Sequence, residues 1–175
     1  MQIRDAHAGD IEAITAIYND AVSNTLAIWN ERTVDAANRT AWLADRERAG
    51  YPVLVAIDAE GTVAGYASFG DWRPFEGFRH TVEHSVYVRA DRRGAGIGKA
   101  LMGELIARAR PGQACDGGGH RSGQCRLDRP AQAAGFEEVG LMRQVGTKFG
   151  AWLDLAFLQL QLDARSDPDG IAPPG

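Results

Sequence analysis

Val86-Tyr87-Val88-Arg89-Ala90-Asp91-Arg92-Arg93-Gly94-Ala95-Gly96-Ile97-Gly98-Lys99-Ala100-Leu101 reads as a strand, a basic glycine-rich loop and the start of an amphipathic helix. That order builds a phosphate cradle. Glycines at alternate positions, Gly94, Gly96 and Gly98, let successive backbone N–H groups converge on one anion, and the following helix adds its unpaired amides and positive dipole end. Arg92, Arg93 and Lys99 supply mobile positive charge. Dinucleotide folds, kinases and tight turns also use Gly-x-Gly-x-Gly, so context must choose the ligand. A nicotinamide fingerprint belongs in the first strand–helix unit, with an acidic residue about twenty residues on, whereas this loop lies mid-chain behind two arginines. A P-loop needs Gly-Lys-Ser/Thr, but Gly98-Lys99 is followed by Ala100, leaving no hydroxyl for magnesium.

Arg92-Arg93-Gly94-Ala95-Gly96-Ile97-Gly98 resembles the Arg/Gln-x-x-Gly-x-Gly/Ala pyrophosphate loop of the GCN5-related N-acetyltransferases, the GNAT family. Further stretches resemble one branch, the phosphinothricin and methionine sulfoximine acetyltransferases. They are Ala27–Glu31, Gly70–Phe75, Thr81–Val88, Val145–Gly150 and Trp152–Asp154, so the likeness covers about residues 1–110 and 135–163. The resemblance implies a GNAT fold, α/β (α+β), with a mixed, mostly antiparallel sheet flanked by helices. It also implies acetyl-CoA as co-substrate, bound by Arg92 to Lys99, including Ala95 and Ile97, and by the backbone of Val86, Tyr87 and Val88. In the family a bulge on this strand frees those backbone groups for the pantetheine arm and the thioester carbonyl.

The chain has 175 residues, of which 45% are hydrophobic and 24% charged, enough for one domain with its own core and no metal or disulfide support. Residues 1–163 read as that domain and 164–175 as a disordered tail. A net charge of -4 and a pI near 5.5 argue against a nucleic-acid-binding surface, so the arginines around Gly94 read as a local anion site or as solvated loop charge. Met1-Gln2-Ile3-Arg4-Asp5 has no apolar signal-peptide core and no run approaches membrane-spanning length, which points to the cytoplasm and away from a membrane.

Ile3-Arg4 opens a short strand, and Asp10 caps a helix whose Ile11, Ile14, Ile17 and Tyr18 fall at helical spacing. A second helix spans about Val34–Ala49. Tyr51–Asp58, Thr62–Asp71 and Thr81–Val88 read as a strand meander, the first two joined by Ala59-Glu60-Gly61. Gly98–Arg110 is the phosphate-site helix. Val139–Val145 and Trp152–Leu162 read as closing strands around a Gly146–Gly150 loop.

Residues 111–134 break this plan. An α/β sheet needs a buried apolar strand here, yet the stretch offers only Leu127 among branched aliphatics, and its composition predicts loop or disorder. Plausible GC-rich codons for Ala114 through Asp128, read one nucleotide later, spell His-Val-Met-Val-Ala-Ala-Ile-Glu-Ala-Gly-Asn-Ala-Ala-Ser-Ile, a strand and a helix start. Carried on through Ala133, the shifted reading gives Asp-Leu-His-Arg-Arg-Leu, after which Gly135-Phe136 resumes the family pattern. Two compensating frame changes, in the gene or in its recorded sequence, are the expected origin of the segment. The resemblance implies that an asparagine contacting the cofactor and a general acid on the next helix have no counterpart here. Metal binding by Cys115, Asp116, His120 and Cys125 is the rival reading, but Cys-x4-His-x4-Cys lacks a close ligand pair, so no metal is expected. A disulfide does not suit a cytoplasmic protein.

Acetyl transfer to an amine requires a neutral nucleophile, a polarised carbonyl and a proton for the departing sulfur. Glu83, in an otherwise apolar strand, is the candidate base, with a cross-strand ion pair as the bland alternative. His84 alternates to the opposite face unless a bulge intervenes. In Asp71–Arg79, Arg73 suits a substrate carboxylate and Trp72 and Phe75 suit the walls of a side-chain pocket, while Glu31 and Glu76 attract an ammonium. Trp72, Phe75 and Phe78 suit a dimer contact equally well, and a homodimer is expected from the resemblance. The expected activity is N-acetylation of a small amino acid such as methionine sulfoximine, methionine sulfone or phosphinothricin. The rivals are an acyl-CoA-binding remnant and an acetyltransferase for another amine.

Overall fold

The computed structural model describes residues 1–109, 114–121 as backbone, 134–162 and 166–167. Among the described residues seven strands form one sheet in the order β1-β2-β3-β4-β5-β7-β6. They are β1 (Gln2–Asp5), β2 (Val53–Ile57), β3 (Val63–Asp71), β4 (Thr81–Val88), β5 (Ala114–Arg121), β6 (Glu137–Lys148) and β7 (Ala151–Leu160). Among the described residues only β4 and β5 run parallel, and the other pairings are antiparallel. The helices are α1 (Ile11–Asn24), α2 (Ala36–Arg48) and α3 (Ile97–Arg108). The mixed, mostly antiparallel sheet expected from sequence is therefore present.

Helices on both faces explain why β2 is apolar at every position. Leu54 and Ala56 pack with Leu101, Met102 and Leu105 of α3, while Val53 and Val55 pack with Ile11, Ile14 and Ile17 of α1 and Leu43 of α2. Such a strand has no polar face and cannot alternate. Among the described residues no helix is long and apolar enough to cross a membrane.

Three local expectations change. Asp10 does not cap α1; its carboxylate takes the His7 N–H at 2.9 Å and both terminal nitrogens of Arg4 at 2.7 and 2.8 Å, closing the 3-10 turn that precedes the helix. The Gly146–Gly150 loop shrinks to a two-residue turn, because β6 runs to Lys148 and Phe149 and Gly150 both take positive φ, 51° and 73°. Positive φ at both central residues matches the twist of a tight hairpin.

The third change concerns the segment read as loop. Ala114–Arg121 is a strand seated between β4 and β7, its backbone in register with Thr81–Glu83 on one side and Asp154–Leu160 on the other. Backbone pairing is indifferent to side chains, so neighbours on both sides hold a strand that composition argues against. Its eight residues are those that the shifted reading spells His-Val-Met-Val-Ala-Ala-Ile-Glu. Downstream, Phe136 is buried again, against His84 at a ring distance of 5.2 Å. Residues 111–113 and 122–133 of the atypical 111–134 segment, Cys125 among them, and nearly all of the 164–175 tail lie outside the described residues.

Candidate active site

β4 meets β3 in unbroken register from Gly65↔Val88 to Asp71↔Val82. The bulge implied by the family resemblance is therefore missing from this ladder, and side chains alternate regularly. Val82, Val86 and Val88 face α3, with His84 beside Phe136, while Tyr87 packs against Tyr18 and Tyr66 on the α1 and α2 side. Glu83 shares the Tyr87 face. What opens the sheet is the other edge of β4. β5 follows it only from Thr81↔Ala114 to Glu83↔Asp116, then stays with β7 as far as Arg121. Beyond Glu83 that edge of β4 lies outside the three-pair ladder; Arg93 donates to the Val88 carbonyl there at 3.3 Å, and the remaining outward backbone groups can bond an extended ligand arm.

The parted strands lead to the glycine loop. Gly94 and Gly96 adopt φ of 86° and 80°, a left-handed conformation that side chains resist, and Gly96 is the N-cap of α3. Among the described residues no side chain caps that end, so the first amides of α3 point out of the helix toward the loop. A Cβ on Gly98 would lie 3.7 Å from Val88 and 4.0 Å from Val86, which puts the first turn of α3 directly against the backbone-bearing part of β4. The two halves of the expected cofactor site are thus adjacent.

The cations around this loop differ from one another. Arg92 is committed to Asp58 at 3.2 Å, to Glu60 and to Asp91 at 3.4 Å. Its pKa rises because Asp58 and then Glu60 stabilise the charge. Arg92 was expected to be mobile, and three carboxylates overrule that. Arg93 reaches Asp20 at 3.1 Å and the carbonyl of Val88 at 3.3 Å. Lys99 is exposed and makes no ion pair among the described residues, so its charge is the one left for an anion at the α3 N-terminus.

On the other face, Glu83 pairs across the ladder with Gly70, and the guanidinium of Arg46 from α2 lies over that glycine. Burial pushes the Arg46 pKa down, while Tyr51, Asp71, Asp45 and Glu83 push it back up. Tyr51 in turn donates to Asp71. Neither Arg46 nor Tyr51 carries a sequence signal for the site; only the gap at Gly70 admits the arginine.

The 71–79 loop packs largely on itself. Trp72 and Phe78 meet edge to face at 4.9 Å, Phe75 lies 6.5 Å from Phe78, and Arg73 stacks on Trp72 at 4.7 Å while donating to its carbonyl at 3.1 Å. Phe75 remains 67% exposed and Glu76 begins a 3-10 turn. Glu31 belongs to the α1–α2 connection, exposed, with its charge felt by Lys148 of β6. Cys115, Asp116 and His120 lie along β5, of which the backbone alone is described.

A glycine loop opening a helix beside the Thr81–Val88 strand is what the sequence resemblance implied; the strand is opened by the parting of β4 from β5 rather than by the implied bulge. The description "Acetyltransferase (GNAT) family" matches residues 14–117. The chain belongs to that family. Its relatives include the L-methionine sulfoximine/L-methionine sulfone acetyltransferase of Pseudomonas aeruginosa, 59% identical over 95% of this chain and 98% of that protein. The phosphinothricin N-acetyltransferase of Alcaligenes faecalis is 36% identical over 93% and 83%. Among solved structures, the Salmonella typhimurium acetyltransferase yncA with its cofactor acetyl-CoA is 51% identical, with a TM-score of 0.91 over 97% of this chain and 98% of that one. This GNAT chain thus shares both fold and length with enzymes of the branch named by its motifs.

Proposed function

We propose that this GNAT-family acetyltransferase moves the acetyl group of acetyl-CoA to the α-amino group of a small amino acid of the methionine sulfoximine, methionine sulfone or phosphinothricin type. The parting of β4 from β5 after Glu83 carries the reading, because it joins an unpaired backbone edge to the Gly94–Lys99 loop. Names borne by relatives supply the substrate class.

The residues present fit acetyl-CoA. Amides of Ile97, Gly98 and Lys99, with the Lys99 ammonium, suit a pyrophosphate, and Arg93 backs the loop from Asp20. Backbone groups of Val86, Tyr87 and Val88 suit the amides of the arm and polarise the thioester carbonyl. Glu83 takes the first proton of the substrate ammonium, directly or through water, so that the neutral amine forms the C–N bond; as the C–S bond breaks, the second proton, shed by the attacking nitrogen, passes to the departing thiolate, leaving amide and CoA thiol. Glu31, Trp72, Arg73, Phe75 and Glu76 shape the acceptor side. For Arg73 this requires leaving the Trp72 ring for the substrate carboxylate.

The exposed β6–β7 edge supports a homodimer. Val139, Leu141, Met142, Val145 and Trp152 are between 43% and 64% exposed on the last hairpin of the sheet, an apolar edge that a second copy would cover. A cytoplasmic location follows from the requirement for acetyl-CoA.

Thiol release from acetyl-CoA, with methionine sulfoximine as acceptor and intact mass verified, tests the assignment. Turnover supports it. Acetyl-CoA binding without turnover would instead identify an acyl-CoA-binding remnant, the reading favoured by the glycine-rich text of β5. Turnover of carboxylate-free amines alone would move the substrate class.

A further inference from the structure

Lys148 is 1% exposed at the tip of an otherwise solvent-facing strand. Its Nζ donates to the carbonyls of Val22 at 2.5 Å, Thr25 at 2.7 Å and Ile28 at 2.5 Å. An ammonium has three donors, and here three carbonyls take them. Val22 lies in the last turn of α1, where carbonyls have no helical partner and the dipole end is negative. A buried cation needs such complete pairing to be tolerated, and an apolar side chain would have filled the space at lower cost.

A second contact lands on the same segment. A Cβ on Gly146 would lie 2.1 Å from the Trp29 ring, so the indole rests on the bare backbone of β6. The hairpin is shaped to bring both residues there. Met142 pairs with Leu155 but Gly146 with Leu153, so β6 spends four residues where β7 spends two, and the N–H of Gln144 in this bulge is held by Asp154 at 2.8 Å. The tight Phe149-Gly150 turn then fixes Lys148 opposite Ala151.

We propose that Lys148 is a positioning residue for the acceptor: with Gly146 it latches the α1–α2 connection, residues 25–31, onto the β6–β7 hairpin and so sets where Glu31 meets the amino-acid substrate. The inference rests on the acceptor role of Glu31 given above. The acetyl-CoA site proposed above is built from β4 and α3 and includes none of the latch residues.

Lys148→Met keeps the length and removes the donors. Hydrogen exchange and steady-state kinetics on the full chain read the effect. Amide exchange over 25–31 is expected to quicken at least about ten-fold relative to residues 11–18, and KM for methionine sulfoximine to rise by about ten-fold, with KM for acetyl-CoA within about two-fold. Unchanged exchange over 25–31, equal acceleration throughout α1, or parallel movement of both KM values overturns the proposal. If Lys148→Met does not fold, Gly146→Ala, which leaves the lysine and strikes Trp29, must give the same selective pattern, and an unaltered 25–31 segment there overturns it as well. A wild-type protein that ignores methionine sulfoximine would defeat the assigned substrate, whereas the exchange comparison still decides the latch.

Discussion

Glu83 stands across the β3–β4 ladder from Gly70, and the guanidinium of Arg46 fills the space a side chain at Gly70 would need: a Cβ there would lie 1.3 Å from Arg46 Nη1. A cation thus flanks the carboxylate assigned as base, threaded from α2 through a missing methyl group. Gly70→Ala must expel it. The expected result is a loss of about 1–3 kcal/mol, as for other overpacked sites, with lowered kcat. Chemical denaturation together with kinetics checks both halves; full activity in Gly70→Ala would separate Arg46 from the chemistry.

Glu83→Gln preserves shape and removes the proton acceptor. kcat is expected to fall by roughly 10²–10⁴, the usual worth of a general base, with KM for acetyl-CoA unchanged. Were Glu83 merely an ion-pair partner of Arg46, the variant would lose melting temperature and keep kcat.

Asp58 ties the β2–β3 turn to Arg92 at the start of the glycine loop. Its carboxyl is held below the ordinary 3.8, first by the Thr62 N–H and then, against some desolvation, by the Thr62 hydroxyl, Arg92 and the Glu60 N–H. A carboxylate whose folded pKa is depressed stabilises the fold above its unfolded value and loses that contribution as pH falls through the folded one. Melting temperatures between about pH 2 and pH 6 should therefore drop more steeply below about pH 4 in wild type than in Asp58→Asn. The same variant, by loosening the tie between the β2–β3 turn and the glycine loop, is expected to raise KM for acetyl-CoA; identical acid profiles for the two proteins would remove Asp58 from the account.

Residues Ala114–Arg121 occupy a strand between two others while carrying Gly117, Gly118 and Gly119. Glycine inside a strand costs roughly 0.5–1 kcal/mol each relative to alanine. A chain in which the whole shifted reading replaces the present segment is expected to melt at least about 5 °C higher, given ~2–4 °C per kcal/mol at this size. Its turnover should rise too. Resequencing the gene is the direct complement: one uninterrupted frame that still encodes Cys115 to Cys125 in an independent isolate ends the frame-change explanation.

Leu141→Glu with Trp152→Glu places two charges on the exposed hairpin edge. Sedimentation velocity should find a dimer for wild type and a monomer for the double variant; a wild-type monomer at tens of micromolar, on the order of working concentrations, contradicts the assembly.

Sequence reached most of the scaffold because its signals are local. Ile11, Ile14 and Ile17 recur at helical spacing and do face the core, Thr81–Val88 is the strand its β-branched residues suggested, and the Gly94–Gly98 string does start α3. Local composition misled at Ala114–Arg121, where hydrogen bonds to β4 and β7 outweigh strand propensity. It also misled at Arg92, whose freedom depended on a turn more than thirty residues upstream.

The chain text by itself determined the glycine loop that opens α3, the meander and the family, because each is written in residues adjacent or periodically spaced. Tertiary structure alone decided that β4 parts from β5 without a bulge, that Arg46 enters at Gly70 and that Lys148 closes on carbonyls 120 to 126 residues away. Those relations depend on which distant atoms share a volume, and a buried charge has no meaning until the partners that neutralise it have been brought together.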